Sequence, residues 1–185
     1  MKETYANLLK AIAGESLARN KYTYYAKIAR KEGHIWIATV FEETADNERA
    51  HAEEELEQIK EKVEMTNTYD IHPLSTTLEN LKFAAEGEEY EFGTMYPDFA
   101  KIADEEGLKE IALLFRKIAE VETKHAERYR LLEKMVKEET LYEQEEEVEW
   151  KCLNCGYVHK GKKAPGTCPL CKKPQGWYKG LKILR

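Results

Sequence analysis

The sequence predicts a mostly α-helical protein: a four-helix bundle with one long crossover, followed by a small C-terminal unit held together by metal. Three observations predict it. Apolar residues recur at helical spacing over four long stretches. The two halves of the helical region repeat one another at an offset of 74 residues, and the last 36 residues carry all four cysteines as two Cys-x-x-Cys pairs. A chain of 185 residues has room for one domain of ordinary size and an appendage of this kind.

The first stretch, residues 3–31, places Tyr5, Leu8, Ile12, Glu15 and Tyr22 on one helical face. The second, residues 34–62, does the same with Ile37, Phe41, Thr44, Glu48 and His51. The third covers residues 77–105. The fourth, residues 107–139, runs Ile111, Phe115, Ile118, Glu122, His125, Tyr129 and Leu132 in alternating steps of four and three. Gly33 and Gly107 end the first and third stretches and imply short turns between antiparallel neighbours. The link from Val63 to Thr76, with Asn67, His72 and Pro73, is long enough to cross between two helical hairpins. After Met135 the periodicity gives way to Glu138, Glu139, Glu143, Glu145, Glu146 and Glu147, which reads as a fraying helix end and a solvated linker. The expected units are therefore residues 1–146 and 147–185.

The repeat sharpens this picture. Tyr25-Ala26-Lys27-Ile28-Ala29 returns as Phe99-Ala100-Lys101-Ile102-Ala103, Glu32-Gly33 as Glu106-Gly107, and Glu48 with His51 as Glu122 with His125. Within the third stretch the register slips. Strict offset selects Glu89, whereas Gly14-Glu15 matches Gly87-Glu88; Glu88 with Glu91 puts two acids on one face, and Glu89 is the runner-up. The spacing from Glu15 to Tyr22 is seven residues and from Glu88 to Tyr96 eight, so one residue has been added between Glu88 and Tyr96. A π-type turn or kink absorbs such an addition, and Gly93 and Pro97 weaken regular bonding there.

Charge divides the chain. From Val148 to Arg185 nine Lys and Arg stand against Glu149 alone, a balance of +8 that leaves −14 on residues 1–147 within the overall −6. The acidic body is the nearer partner for the basic tail, so nucleic acid is not expected. No uncharged run approaches the roughly 20 residues that span a bilayer and no cleavable leader is visible, which points to a cytoplasmic protein with no membrane partner.

Acids within apolar stripes need cations, because an unpaired buried carboxylate costs several kcal/mol or stays protonated. Glu15, Glu48, Glu88, Glu91 and Glu122, with His51 and His125, would meet at mid-bundle. Residues three apart share a helix face, so each Glu-x-x-His can chelate. One Glu from each of two helices with Glu-x-x-His from the other two is the ligand pattern of di-iron carboxylate bundles. Tyr22 and Tyr96, two turns beyond Glu15 and Glu88, are candidates for a catalytic role beside the metals. His34, His72 and His159 lie outside the stripes. In the tail, Cys152, Cys155, Cys168 and Cys171 form two knuckles twelve residues apart, a tetrahedral thiolate pattern that suits zinc and iron alike. A redox-active neighbour and the flanking Trp150, Tyr157, Trp177 and Tyr178 favour iron.

These motifs together resemble rubrerythrin: Ala13-Gly14-Glu15-Ser16, Glu48-Arg49-Ala50-His51, Gly87-Glu88-Glu89-Tyr90-Glu91, Met95-Tyr96-Pro97, Glu122-Thr123-Lys124-His125 and Cys152-Leu153-Asn154-Cys155-Gly156-Tyr157 stand in that family's order. The resemblance implies a ferritin-like four-helix bundle with a rubredoxin-like domain, two irons in the bundle and one on the cysteines. It implies a peroxidase that reduces hydrogen peroxide to water, with electrons from an NAD(P)H-dependent reductase or a rubredoxin; a ferroxidase that handles iron is the other reading. It further implies that Glu48 and Glu122 bridge the irons, that Glu15 and Glu88 are terminal ligands, that His125 binds one iron, and that His51 and Glu91 exchange on the other. A homodimer with one subunit's tail near the other's di-iron site is implied as well. Lys172 departs from the pattern, since rubredoxins usually carry Gly there. No Gly-x-Gly-x-x-Gly occurs, so a separate reductase must supply electrons.

Overall fold

The computed structural model describes residues 2–64 and 66–183. Helices α1 (Glu3–Lys31), α2 (Ile35–Leu56), α3 (Thr77–Tyr90), α4 (Tyr96–Glu105) and α5 (Lys109–Lys137) make the bundle. α1 packs along α2, and α3 with α4 packs along α5, giving two antiparallel hairpins joined by the crossover.

The hairpin turns follow from glycine. Gly33 and Gly107 adopt φ of +88° and +77°. Around each, the amide two residues past the last helical turn reaches back five residues, His34 to the Ala29 carbonyl and Leu108 to the Ala103 carbonyl, both at 2.8 Å. This satisfies helix-end carbonyls that would otherwise be orphaned. α3 starts with Thr76, whose hydroxyl accepts from the Glu79 amide at 3.3 Å.

Between α3 and α4 lies one π-helical turn, Glu91–Met95, closed by a bond from the Tyr96 amide to the Glu91 carbonyl. It sits where the repeat carries its added residue, so α3 and α4 continue as one long element with the extra residue held in a wide turn.

Two expectations fail. α2 stops at Leu56 rather than residue 62. Leu56 is exposed, whereas Ile59 turns back onto the core, so further helix would bury nothing. The acidic run after α5 is not a solvated linker throughout: Glu143–Cys152 is strand β1, central in a three-stranded antiparallel sheet ordered β2-β1-β3 with Val158–Lys163 (β2) and Tyr178–Gly180 (β3). Its acids face a basic strand, with Glu143 paired to Lys163 at 2.7 Å and Glu147 to Lys160 at 3.7 Å.

The apolar core is split into two. One cluster, with Leu8, Tyr96, Phe99 and Phe115, fills the end of the bundle away from the tail. The other, with Tyr22, Tyr25, Phe41 and Tyr129, continues into the tail through Trp150, Cys152 and Tyr178. The tail rests on the α1–α2 turn so closely that a Cβ on Gly176 would stand 1.7 Å from the Gly33 carbonyl oxygen, and His34 stacks on Tyr142 there at 6.4 Å. No helix among the described residues is long and apolar enough to cross a membrane.

Candidate metal centres

Between the two apolar clusters lies a polar layer. Glu15 from α1, Glu48 from α2, Glu88 from α3, and Glu122 with His125 from α5 are all buried there. The i, i+3 spacing turns each histidine onto its own helix's acid: His51 Nδ1 is 3.0 Å from Glu48 and His125 Nδ1 is 2.6 Å from Glu122. Across the bundle His51 Nδ1 reaches Glu122 at 2.8 Å and His125 Nδ1 reaches Glu48 at 3.4 Å.

Two overlapping sets result, Glu15, Glu48, His51 and Glu122, and Glu48, Glu88, Glu122 and His125, each with donor atoms within 4.8 Å of one another. Glu48 and Glu122 belong to both. Eight ligand atoms in this layer, close as the imidazoles and carboxylates stand, make no well-directed hydrogen bond: Glu15 Oε2, both oxygens of Glu48 and of Glu122, Glu88 Oε2, His51 Nδ1 and His125 Nδ1. Buried polar atoms are rarely left so. A pair of cations within the layer would satisfy them, and carboxylate with imidazole is a donor set that suits iron.

Without metal, burial raises the carboxyls of Glu48 and Glu88 well above the usual range, and that of Glu15 less so. Glu122 is the exception. Burial pushes it up as well, but the imidazoles of His125 and His51 outweigh that and hold it at about 2.

Glu91 lies outside both sets. It is half-buried at the start of the π turn and lines a cavity of about 600 Å³ with Gly14, Lys21, Tyr69, Tyr90 and Met95. The runner-up Glu89 points the other way, held by Arg130 through two bonds of 2.7 Å. The tyrosines are exchanged between hairpins. Tyr22 does not bond Glu15 on its own helix; its hydroxyl donates to Glu88, and that of Tyr96 contacts Glu15.

Two neighbours were not singled out by sequence. Asn47 Oδ1 accepts from His125 Nε2 at 3.2 Å, which leaves Nδ1 as the nitrogen free to bind metal. Glu55 is buried against Tyr96 at 3.0 Å. Its position four residues after His51 was a usable signal. Asn47 precedes Glu48, off the ligand stripe, and gave none.

In the tail, Cys152 Sγ lies 3.7 Å from Cys171 Sγ and Cys155 Sγ 3.7 Å from Cys168 Sγ, with all four sulfurs within 4.8 Å of one another. Thiolates about 2.3 Å from one tetrahedral ion stand roughly 3.8 Å apart, so the four fit one metal. Trp150, fully buried, ties the sheet together through Nε1 to the Gly161 carbonyl at 2.9 Å. Lys172 takes φ +63° and Gly156 φ +78°, each just after the second cysteine of its knuckle.

The sequence agrees with this geometry at the family level. Residues 6–133 match the rubrerythrin family model, and residues 150–179 match that of the rubredoxin-like domain of rubrerythrin. A rubrerythrin of Clostridium perfringens is 44% identical over 97% of this chain and 95% of its own. The chain belongs to the rubrerythrin family. A putative rubrerythrin of Methanocaldococcus jannaschii is 47% identical over 96% of this chain and 92% of its own. A mixed-valence structure of nigerythrin superimposes with a TM-score of 0.66 at 34% identity, over 96% of this chain and 86% of that one. As a family member the chain is an iron-binding oxidoreductase with a ferritin-like di-iron site on the Glu/His cluster and a rubredoxin-like site on its four cysteines.

Proposed function

We propose that this protein reduces hydrogen peroxide to water at the di-iron site, with electrons passed from an external NAD(P)H-dependent reductase, directly or by way of a rubredoxin, through the four-cysteine iron. The observation that carries the reading is the joining, in one chain, of a buried site with two overlapping ligand sets to a tetrathiolate whose iron can pass electrons one at a time. Storage of iron alone would have no use for the second centre.

In this reading Glu48 and Glu122, common to both ligand sets, would help hold both irons, Glu15, Glu88 and His125 would each hold one, and His51 would share its place with Glu91, which lies outside both sets. The irons supply two electrons and Lewis acidity at the O–O bond. The chain does the rest. Tyr22 and Tyr96 close the polar layer against the two apolar clusters and donate hydrogen bonds to Glu88 and Glu15 respectively, so the terminal ligands keep fixed orientations. The cavity beside Glu91 has room for a molecule as small as peroxide. Asn47 holds the His125 ring.

The tail sits on the α1–α2 turn, about 27 Å along α1 from Glu15 at 1.5 Å per residue. That distance favours delivery of electrons from the tail of a partner subunit in a homodimer, and the basic tail and acidic body suit such docking. The units meant are residues 1–146 and 147–185, in a cytoplasmic protein.

The test is Cys168→Ser. Steady-state peroxide turnover with a reductase is expected to vanish, while protein whose di-iron site has been reduced chemically is still oxidised by peroxide in one turnover. Unchanged turnover in the variant would remove the relay, and no oxidation of the prereduced site would remove the peroxidase.

A further inference from the structure

Glu55 is a buried carboxyl that the ligand set leaves over. It stands in the last turn of α2, seven residues after Glu48 and four after His51, on the face those residues share. It is fully excluded from solvent. Its Oε1 lies 3.0 Å from the Tyr96 hydroxyl, and its Oε2 has no partner. The same hydroxyl lies against Glu15 Oε1.

A phenol carries one proton. It can donate to only one of two carboxylates, so the second contact is a hydrogen bond only if that carboxyl is itself protonated and donates to the phenol oxygen. Glu15 belongs to the metal cluster, and a carboxylate must be ionised to bind metal. The proton therefore belongs on Glu55, and the bonds run from Glu55 to Tyr96 to Glu15.

The surroundings agree with that direction. The groups that act most strongly on Glu55 are Glu15 from α1, His51 on α2, Tyr96 from α4 and Glu122 from α5. Burial first, then the charge of Glu15, raises the carboxyl well above its usual range, and the charge of His51 offsets this only in part.

We infer that Glu55 stores a proton for the di-iron site and releases it through Tyr96 to Glu15 as peroxide is reduced, a role that rests on the peroxidase reading above. Reduction breaks the O–O bond and takes up two electrons and two protons to form two waters. The electrons come from the di-iron site, Glu55 contributes one proton, and solvent contributes the other. The shift is a relay: the Glu55 proton passes to the phenol oxygen as the phenol proton passes to Glu15, and Glu15 gives up a proton to the oxygen of the broken O–O bond and is ionised again. Tyr96 is neutral before and after. Glu55 is left as an anion and is reprotonated from solvent. Glu55 touches no substrate; it acts through Tyr96 as a positioning residue that also holds a proton.

The test uses the full iron-loaded chain in its oxidised state at pH 8. Exposed and iron-bound carboxylates are ionised there, so an infrared carboxylic-acid C=O band comes from a buried carboxyl off the iron, and the component that Glu55→Gln removes belongs to Glu55. It is expected in the wild type and absent in Glu55→Gln at equal iron content. A wild type without the band, or a variant that keeps it undiminished, overturns the inference. Single turnover separates proton from scaffold. Glutamine still donates a hydrogen bond to Tyr96 but has no proton to give, so prereduced Glu55→Gln and Glu55→Leu are both expected to be oxidised by peroxide on the order of 100-fold more slowly. Added small acids should restore much of the rate in the Gln variant. If Gln matches the wild type and only Leu is slow, Glu55 merely holds Tyr96 and the proposal fails. If prereduced wild type ignores peroxide, the peroxidase reading fails, and the infrared band still decides where the proton sits.

Discussion

The two metal centres are held in opposite ways. In the bundle, ligands project from long helices anchored by apolar clusters above and below the polar layer, so the framework is set by packing and metal fills a site already shaped. In the tail, the strands are short, few large side chains are fully buried beyond Trp150 and Tyr178, and two of the four ligands are only half-buried. There the metal is itself the framework. One chain thus carries a site that burial makes costly without metal and another that hardly exists without it.

Chelation draws the contrast most sharply. Structural metal in small modules contributes on the order of 10 kcal/mol, more than a tail of this size can replace from its own core. Removing all iron is expected to abolish the β-sheet and the burial of Trp150 while leaving the bundle helical. Tryptophan fluorescence and amide exchange, compared with circular dichroism near 222 nm, would read the two units separately. Loss of helix together with sheet would show that the tail's packing on the α1–α2 turn, through Gly33 and Gly176, couples them.

How much of this was legible in the sequence differs between the same two regions. The bundle announced itself because 3.6-residue periodicity and the repeat report the same fold independently, and even the π turn at Glu91–Met95 follows from one residue out of register. The end of α2 did not, since Glu57 to Lys62 is an acceptable helix and only the return of Ile59 to the core stops it. In the tail the cysteines were obvious and the strand was not. Glu143 to Glu147 looks like a solvated run until β2 places Lys160 and Lys163 opposite it. Candidate ligands could be proposed from spacing; the crossing of Tyr22 to Glu88 and Tyr96 to Glu15, and the contacts of Asn47 and Glu55, depend on how helices face one another, which spacing within one helix does not encode.

If the bundle shapes its site before metal arrives, its outer contacts should tune affinity rather than folding. Asn47→Leu removes the acceptor that fixes the His125 ring. The expected result is iron bound about 10- to 100-fold more weakly at the di-iron site, with an unchanged helical spectrum and an intact tail. Competition against a chelator of known strength would measure it. Equal affinity would mean that packing alone orients the ring.

The metal-free bundle should also carry the mark of its carboxylates. Burial raises Glu48, Glu88 and Glu91, and Glu15 to a lesser degree, above their unfolded values. Acids of that kind stabilise the fold fully below the unfolded carboxylate value of about 4.3 and lose that contribution as pH rises through their folded values. Glu122, held at about 2, works in the other direction, but its stabilisation is complete above the unfolded value and falls away only in stronger acid. Between pH 5 and 8 the first group therefore decides the sign. Apo-bundle melting should be higher by several degrees at pH 5 than at pH 8, whereas the iron-loaded protein should show the reverse because protons compete with metal for the ligands. A flat apo profile would mean that the carboxyls reach solvent.

The smallest expected effect lies inside the tail, where the two knuckles can be set against each other. Gly156 and Lys172 occupy equivalent places: each amide bonds back to the carbonyl of the first cysteine in its pair, at 2.9 and 3.0 Å, with φ of +78° and +63°. Glycine adopts that region without cost, whereas a side chain there is strained by roughly 1 kcal/mol or more. Lys172 offsets part of this by donating from Nζ to the Pro169 carbonyl at 2.9 Å, an exposed bond that contributes little in water. Lys172→Gly is thus expected to stabilise the metal-loaded tail by about 1 kcal/mol, less the extra freedom glycine gains in the unfolded chain. Gly156→Lys should destabilise it by a similar amount, because it brings the same strain to a position where glycine has none. Metal-release rates in denaturant would compare all three proteins. Equal rates for wild type and Lys172→Gly would show that the Pro169 bond cancels the strain, making the knuckles energetically alike despite their different residues.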